Sequence, residues 1–147
     1  MDRLACVDLP AFPLQLLRRK HPEWAEFPAA VVDDDRPQGR ILWACEKARQ
    51  LGVLPGLCYA QALSLTSSLR AGVVETTDIK KEVKGVSEVL RRLSPDVEAC
   101  VDEPGVFWLS GVGLKGLFRS ASAWGRAISE AMVCSHFASS VVVGFTR

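Results

Sequence analysis

Long apolar runs are missing from this chain. No stretch approaches the roughly 20 residues that a membrane-crossing helix requires, and the opening "MDRLAC" has no secretory pattern. Paired cysteine motifs are missing too. Cys6, Cys45, Cys58, Cys100 and Cys134 are odd in number, and none sits in a C-x-x-C pair. That argues against a disulfide or zinc framework and for reduced, mainly buried thiols in a cytoplasmic protein. A charge excess of either sign is also absent. Eighteen Lys and Arg against 17 Asp and Glu leave a formal net charge of +1. A free-standing nucleic-acid binder usually carries a basic excess or a basic face, so a plain nucleotide- or DNA-binding module is disfavoured. The basic clusters Arg18–Lys20, Lys80–Lys84 and Arg91–Arg92 read as solvated helix faces. Histidine is scarce. His21 and His136 lack ligand spacing, and nothing local activates a thiol, which sets aside a Cys–His nucleophile. There is no Gly-rich phosphate loop, no G-x-S-x-G elbow and no internal repeat.

What remains is the composition of one globular domain. The chain has 147 residues, 48% of them hydrophobic and 24% charged, enough to build a real core. "LACVDL" (4–9) reads as a buried strand, and "AFPLQLLRRKHPEW" (11–24) as a helix that tolerates Pro13 in its first turn. "FPAAVVDDD" (27–35) and "RILWAC" (40–45) read as strands around an acidic turn containing Pro37 and Gly39. Short helices follow at 46–53 and 55–65, then a minor strand at 68–74. The clearest helix spans 76–95. Ile79, Val83, Val86, Leu90 and Leu93 form its apolar face, Thr77 or Asp78 can cap its start, and Pro95 stops it.

"DVEACV" (96–101) and "GVFWLS" (105–110) read as two strands around a "DEPG" turn. Phe107 and Leu109 should share one face and Trp108 the other. A second amphipathic helix runs 120–134 with Trp124, Ile128 and Ala131 or Met132 inward, and a final strand spans 138–147. Helices should pack on a mixed sheet, giving an α/β or α+β class. The chain stops at the end of a strand, as a fragment of a longer protein would.

The order of these pieces resembles the Y-family DNA polymerases. In that family the first strand ends D-x-D-x-F-(F/Y), a fingers segment carries Y-x-A-R-x-x-G-V, and a strand pair after the long helix carries S-x-D-E. Here the counterparts are "VDLPAF" (7–12), "EKARQLGV" (46–53) and "SPDVEACVDEPGVFWLS" (94–110). The phrases "DDDRPQGRILWACEKARQLGV" and "SVVVGFTR" look closest to the ImuB branch, the non-catalytic, polymerase-like subunit of bacterial mutasomes. The resemblance implies an α+β fold: a palm-like mixed sheet with helices packed on it and a small fingers-like insertion. It implies a first palm part at 1–35, a fingers segment at 36–73 and a second palm part at 74–147.

Departures from the motifs bear on activity. Polymerase chemistry needs two cations about 3.5–4 Å apart, held by several carboxylates. Asp8 matches the first family acid, but Pro10 stands where many members have a second. Pro13 falls where the family places its aromatic steric gate, beside Phe12. Arg49 matches the triphosphate-contacting arginine, while Glu46 replaces the tyrosine and would repel a phosphate.

The acid pair admits two alignments. Asp102–Glu103 is a literal D-E, followed at once by Pro104 and Gly105. Aligning "FWLSGVGL" (107–114) with the family strand instead puts the acid positions near Gly105 and Val106, with the literal pair at a hairpin tip. The second alignment is preferred, and Asp8 then reads as a vestige that caps the helix starting near Pro10.

The expectation is a non-catalytic scaffold for translesion DNA synthesis in the SOS response, with no cofactor, no resident metal and no membrane association. Its implied partners are a RecA-like ImuA, the sliding clamp and an error-prone C-family DNA polymerase, with DNA bound weakly if at all. The alternative is an active translesion polymerase using Asp8, Asp102 and Glu103.

Overall fold

A computed structural model describes residues 3–114 and 116–145. The chain divides into two compact units: Met1–Pro10 with Lys80–Arg147, and Ala11–Ile79. The strand at 29–32 finds its partners entirely within the second unit.

The first unit is a four-stranded antiparallel sheet with two helices. Its strands are β1 (Leu4–Asp8), β5 (Val97–Ala99), β6 (Val106–Ser110) and β7 (Ser140–Gly144), in the order β5-β6-β1-β7. Thr146 and Arg147, expected in the last strand, lie outside the described residues. Period-two alternation sets the two faces of the sheet. Ala5, Val7, Phe107 and Leu109 are wholly buried on one face. Cys6, Asp8, Val106 and Trp108 alternate onto the other, and only the first face carries the core. α5 (Ala121–Cys134) buries Trp124, Ile128 and Met132, which resolves the Ala131 or Met132 alternative in favour of Met132. Ser120 caps this helix, its Oγ accepting the Ala123 N–H at 3.1 Å.

α4 (Thr76–Leu90) is shorter than its apolar pattern suggested, and its burial is concentrated in Val86, Ser87 and Leu90. Val83 is only half-buried. Neither Thr77 nor Asp78 is the cap, because the helix has already begun at Thr76 and the Ile79 N–H donates to the Glu75 carbonyl at 3.1 Å.

The second unit holds a three-stranded sheet in the order β3-β2-β4: β2 (Ala29–Val32), β3 (Ile41–Ala44) and β4 (Arg70–Gly72). β2 pairs antiparallel with β3 and parallel with β4. All four β2 residues are buried, as befits a central strand. Leu14 and Leu17 of α1 (Phe12–Lys20) join this core, along with Ala48 of α2 (Glu46–Gln50) and Ala62 of α3 (Tyr59–Leu65). The mixed sheet of the sequence reading is therefore realised as two sheets, of which only the smaller is mixed.

One local expectation is corrected. Asp8 does not cap α1. The N-cap is Ala11, in left-handed conformation (φ 49°, ψ 49°), with no side-chain cap bond. An alanine there costs about 1–2 kcal/mol relative to glycine.

Candidate functional site

β1 carries Asp8 at its C-terminal end, where the alternation puts it on the sheet face away from the core. Its cross-strand partners are Val106 on β6 and Ser140 on β7. One residue on, the Leu9 N–H donates to the Gly105 carbonyl at 2.8 Å. Gly105 and Val106 therefore stand directly beside the first-strand acid, and neither carries a carboxylate. Gly105 has φ 99°, the left-handed region that glycine enters at no steric cost. It closes the turn that admits β6, and the Val106 N–H donates back to the Glu103 carbonyl at 3.1 Å.

Asp102 and Glu103 lie in that turn, both exposed. Glu103 and Asp8 both act on the thiol of Cys6. Cys6 shares the Asp8 face and is pushed above the ordinary thiol range, first by burial and then by the charges of Asp8, Cys100 and Glu103. Asp8 and Glu103 thus act on one group at one end of the sheet. Among the described residues, however, no three His, Cys, Asp or Glu side chains are grouped so as to hold a metal ion. Directly across from Asp8, the neighbouring strands offer a methyl-bearing side chain, Val106, and a hydroxyl, Ser140.

A raised thiol pKa leaves Cys6 protonated at neutral pH. The folded state holds this proton more tightly than the unfolded chain. The contribution to stability is therefore intact below the unfolded thiol's pKa and is lost as pH rises through the folded value. Asp8→Asn should move the pH midpoint of Cys6 alkylation by iodoacetamide downward, measured peptide by peptide by mass spectrometry, with exposed Cys134 as the internal reference. An unchanged midpoint would mean that Asp8 does not face Cys6.

The remaining sequence-derived positions lie in the second unit. Cys45 caps α2, its Sγ accepting the Ala48 N–H at 3.4 Å and the Ala29 N–H at 3.2 Å. This fixes the start of the helix bearing Glu46 and Arg49. Glu46 is exposed in the first turn, where a negative charge complements the helix dipole. Arg49 is exposed, and its Nε donates to the Ala44 carbonyl at 3.2 Å. Phe12 and Pro13 are both buried in α1, and Pro10 is exposed. The sequence reading did not single out Cys6 as a neighbour of the acids. The alternation along β1 is the signal that placed it on the Asp8 face.

Three solved structures resemble the chain throughout. DinB from Sulfolobus solfataricus matches with a TM-score of 0.79 at 16% identity, over 99% of this chain and 42% of that one. A post-insertion binary complex of Dbh DNA polymerase gives 0.84 at 18%, over 99% and 42%. A Y-family DNA polymerase chimera built on Dbh gives 0.78 at 16%, over 96% and 42%. The chain thus spans about two-fifths of their length. At these identities the likeness establishes the fold, a mixed α+β, palm-like arrangement. No curated protein sequence matches. The impB/mucB/samB (IMS) family matches residues 7–146. With the match reaching from the last residues of β1 past the end of β7, the chain belongs to the impB/mucB/samB family.

Proposed function

We propose that the chain is the palm-and-fingers portion of a non-catalytic Y-family-polymerase-like protein, of the ImuB kind, that scaffolds translesion DNA synthesis in the damage response. One arrangement carries the reading. Asp8 stands at the position that resembles the family's first acid, and beside it are Val106 of β6 and Gly105 of the turn before it. A lone exposed carboxylate binds magnesium weakly, since that ion dehydrates reluctantly and needs several oxygen ligands. Glu46 adds a charge that repels triphosphate in place of a hydroxyl that would donate to it. On this reading the chemistry belongs to a partner, an error-prone C-family polymerase, brought together with a RecA-like ImuA and the sliding clamp.

A second reading, an active polymerase using Asp8, Asp102 and Glu103, draws support from the shared action of Asp8 and Glu103 on Cys6. Closure of the 101–105 turn on a metal-bound nucleotide would be needed to complete it.

Primer extension separates the two readings. The full-length protein should fail to extend a primer with magnesium and all four nucleotides. Asp8→Ala and Asp8→Asn should both leave damage-induced mutagenesis at the wild-type level in cells, at matched protein abundance. Wild-type extension that both substitutions abolish would establish the polymerase reading instead.

A further inference from the structure

The segment that follows α4 and the loop after β6 line a groove of about 500 Å³ in the first unit. Arg91 and Arg92 line one side, and Leu93, Leu114, Leu117 and Phe118 supply apolar surface. Leu117 is 72% exposed, which is unusual for so large an aliphatic side chain next to other apolar groups. Both arginines are exposed, and among the described residues neither guanidinium is in an ion pair. The residues that line the groove include two cations, Arg91 and Arg92, and no acid.

A structural role accounts for part of this. Cations at a helix C-terminus complement its dipole, and Arg91 and Arg92 follow directly on α4. The dipole does not explain why Leu117 stands out in solvent beside them, nor why there is a concavity between the two segments.

We propose that this groove docks an acidic peptide segment of a partner protein, with one or two Leu or Phe side chains seated on Leu114, Leu117 and Phe118 and its carboxylates on Arg91 and Arg92. Charge complementarity selects the acidic partner, and the aliphatic surface selects a peptide over a nucleic acid. Phosphates would engage the guanidiniums but leave Leu117 uncovered, and base stacking calls for more than the single ring of Phe118. Bidentate arginine–carboxylate pairs are strong and geometrically specific, and arginine is enriched among the residues that carry interface energy. The inference does not depend on whether the Asp8 site is catalytic.

The test is fluorescence anisotropy on the full chain. The probes are a panel of labelled synthetic peptides that pair Leu or Phe with Asp or Glu at helical and extended spacings, with an oligo-dT strand as competitor. At least one peptide should bind in the micromolar range. Arg91→Glu with Arg92→Glu should weaken it by about tenfold or more, and Leu117→Ser by several-fold. Oligo-dT should not compete. Circular dichroism checks that the variants fold, and Arg91→Gln with Arg92→Gln replaces the charge reversal if that pair does not. Failure of every peptide to bind below the millimolar range, or unchanged affinity in the arginine variants, would overturn the proposal. So would competition by oligo-dT combined with indifference to Leu117→Ser, which would mark the groove as a nucleic-acid contact.

Discussion

Trp124→Ala should lower the unfolding free energy by about 3–5 kcal/mol, the usual cost of emptying a fully buried large aromatic site. Trp124 heads the buried stripe of α5, with Ile128 and Met132 beneath it on the same face, and all three have no exposed surface. The side chain is also tied by its polar end, because Nε1 donates to the Leu93 carbonyl at 2.9 Å. That bond pins the turn after α4 to the start of α5. The substitution therefore opens a cavity and leaves a carbonyl short of its donor, two penalties at one position.

Domains of this size are stable by only about 5–15 kcal/mol, so the variant should be near its unfolding threshold at 37 °C. Trp124→Phe separates the two terms. It loses the hydrogen bond but empties far less volume than alanine does, so it should cost clearly less, about 2 kcal/mol. Urea unfolding followed by far-UV circular dichroism measures both. Equal losses in the two variants would show that the hydrogen bond, and not the packing, holds α5 in place.

Gly39→Ala should cost about 2–3 kcal/mol, a large penalty for one methyl group, in the range that overpacking produces. A Cβ at residue 39 would lie 1.9 Å from the Asp34 carbonyl oxygen and 3.0 Å from that of Arg36. Both obstacles are backbone, so no side-chain rotation relieves them. The turn would have to open. It is held by the Gly39 N–H donating to the Arg36 carbonyl at 2.8 Å and by the Arg40 N–H donating to Asp33 Oδ1 at 2.7 Å. The Tyr59 N–H also donates to the Gly39 carbonyl at 2.7 Å, so the disturbance reaches the start of α3.

Gly85→Ala is the matched control. Gly85 is exposed within α4, and a Cβ there meets nothing within 4 Å. The same chemical change should stabilise by up to about 1 kcal/mol through helix propensity. Opposite signs in thermal unfolding are expected, and a Gly39→Ala variant as stable as the wild type would show that the turn is free to relax.

Much of the secondary structure was legible in the sequence because it is written in short-range periodicity. The strict alternation of "VFWLS" put Phe107 and Leu109 on one face and Trp108 on the other, and burial in the fold shows the first to be the inner face. The four-residue spacing of Trp124 and Ile128 set the inward face of α5, and the structure chose Met132 over Ala131 as its third member. The order of motifs was enough to suggest the polymerase family, since residues such as Asp8 and Arg49 keep their places relative to recognisable elements.

Other features depended on the fold. Strand pairing joins residues far apart in the chain, and local pattern does not specify the partner. Hence "AAVV", an apolar run compatible with any buried strand, pairs with β3 and β4 in its own small sheet rather than with β1. Capping is likewise a matter of backbone path. Asp8 is an acid just before a proline, yet the chain turns at Ala11 and α1 begins without a side-chain cap. The position of the acid pair was open between two alignments because sequence spacing does not measure distance around a turn. Pairing register is what sets Val106 opposite Asp8 and leaves Asp102 and Glu103 in the connecting turn. The groove beside Arg91 is further from anything a sequence reading reaches, since it exists only where the end of one helix and a loop some 20 residues later come together.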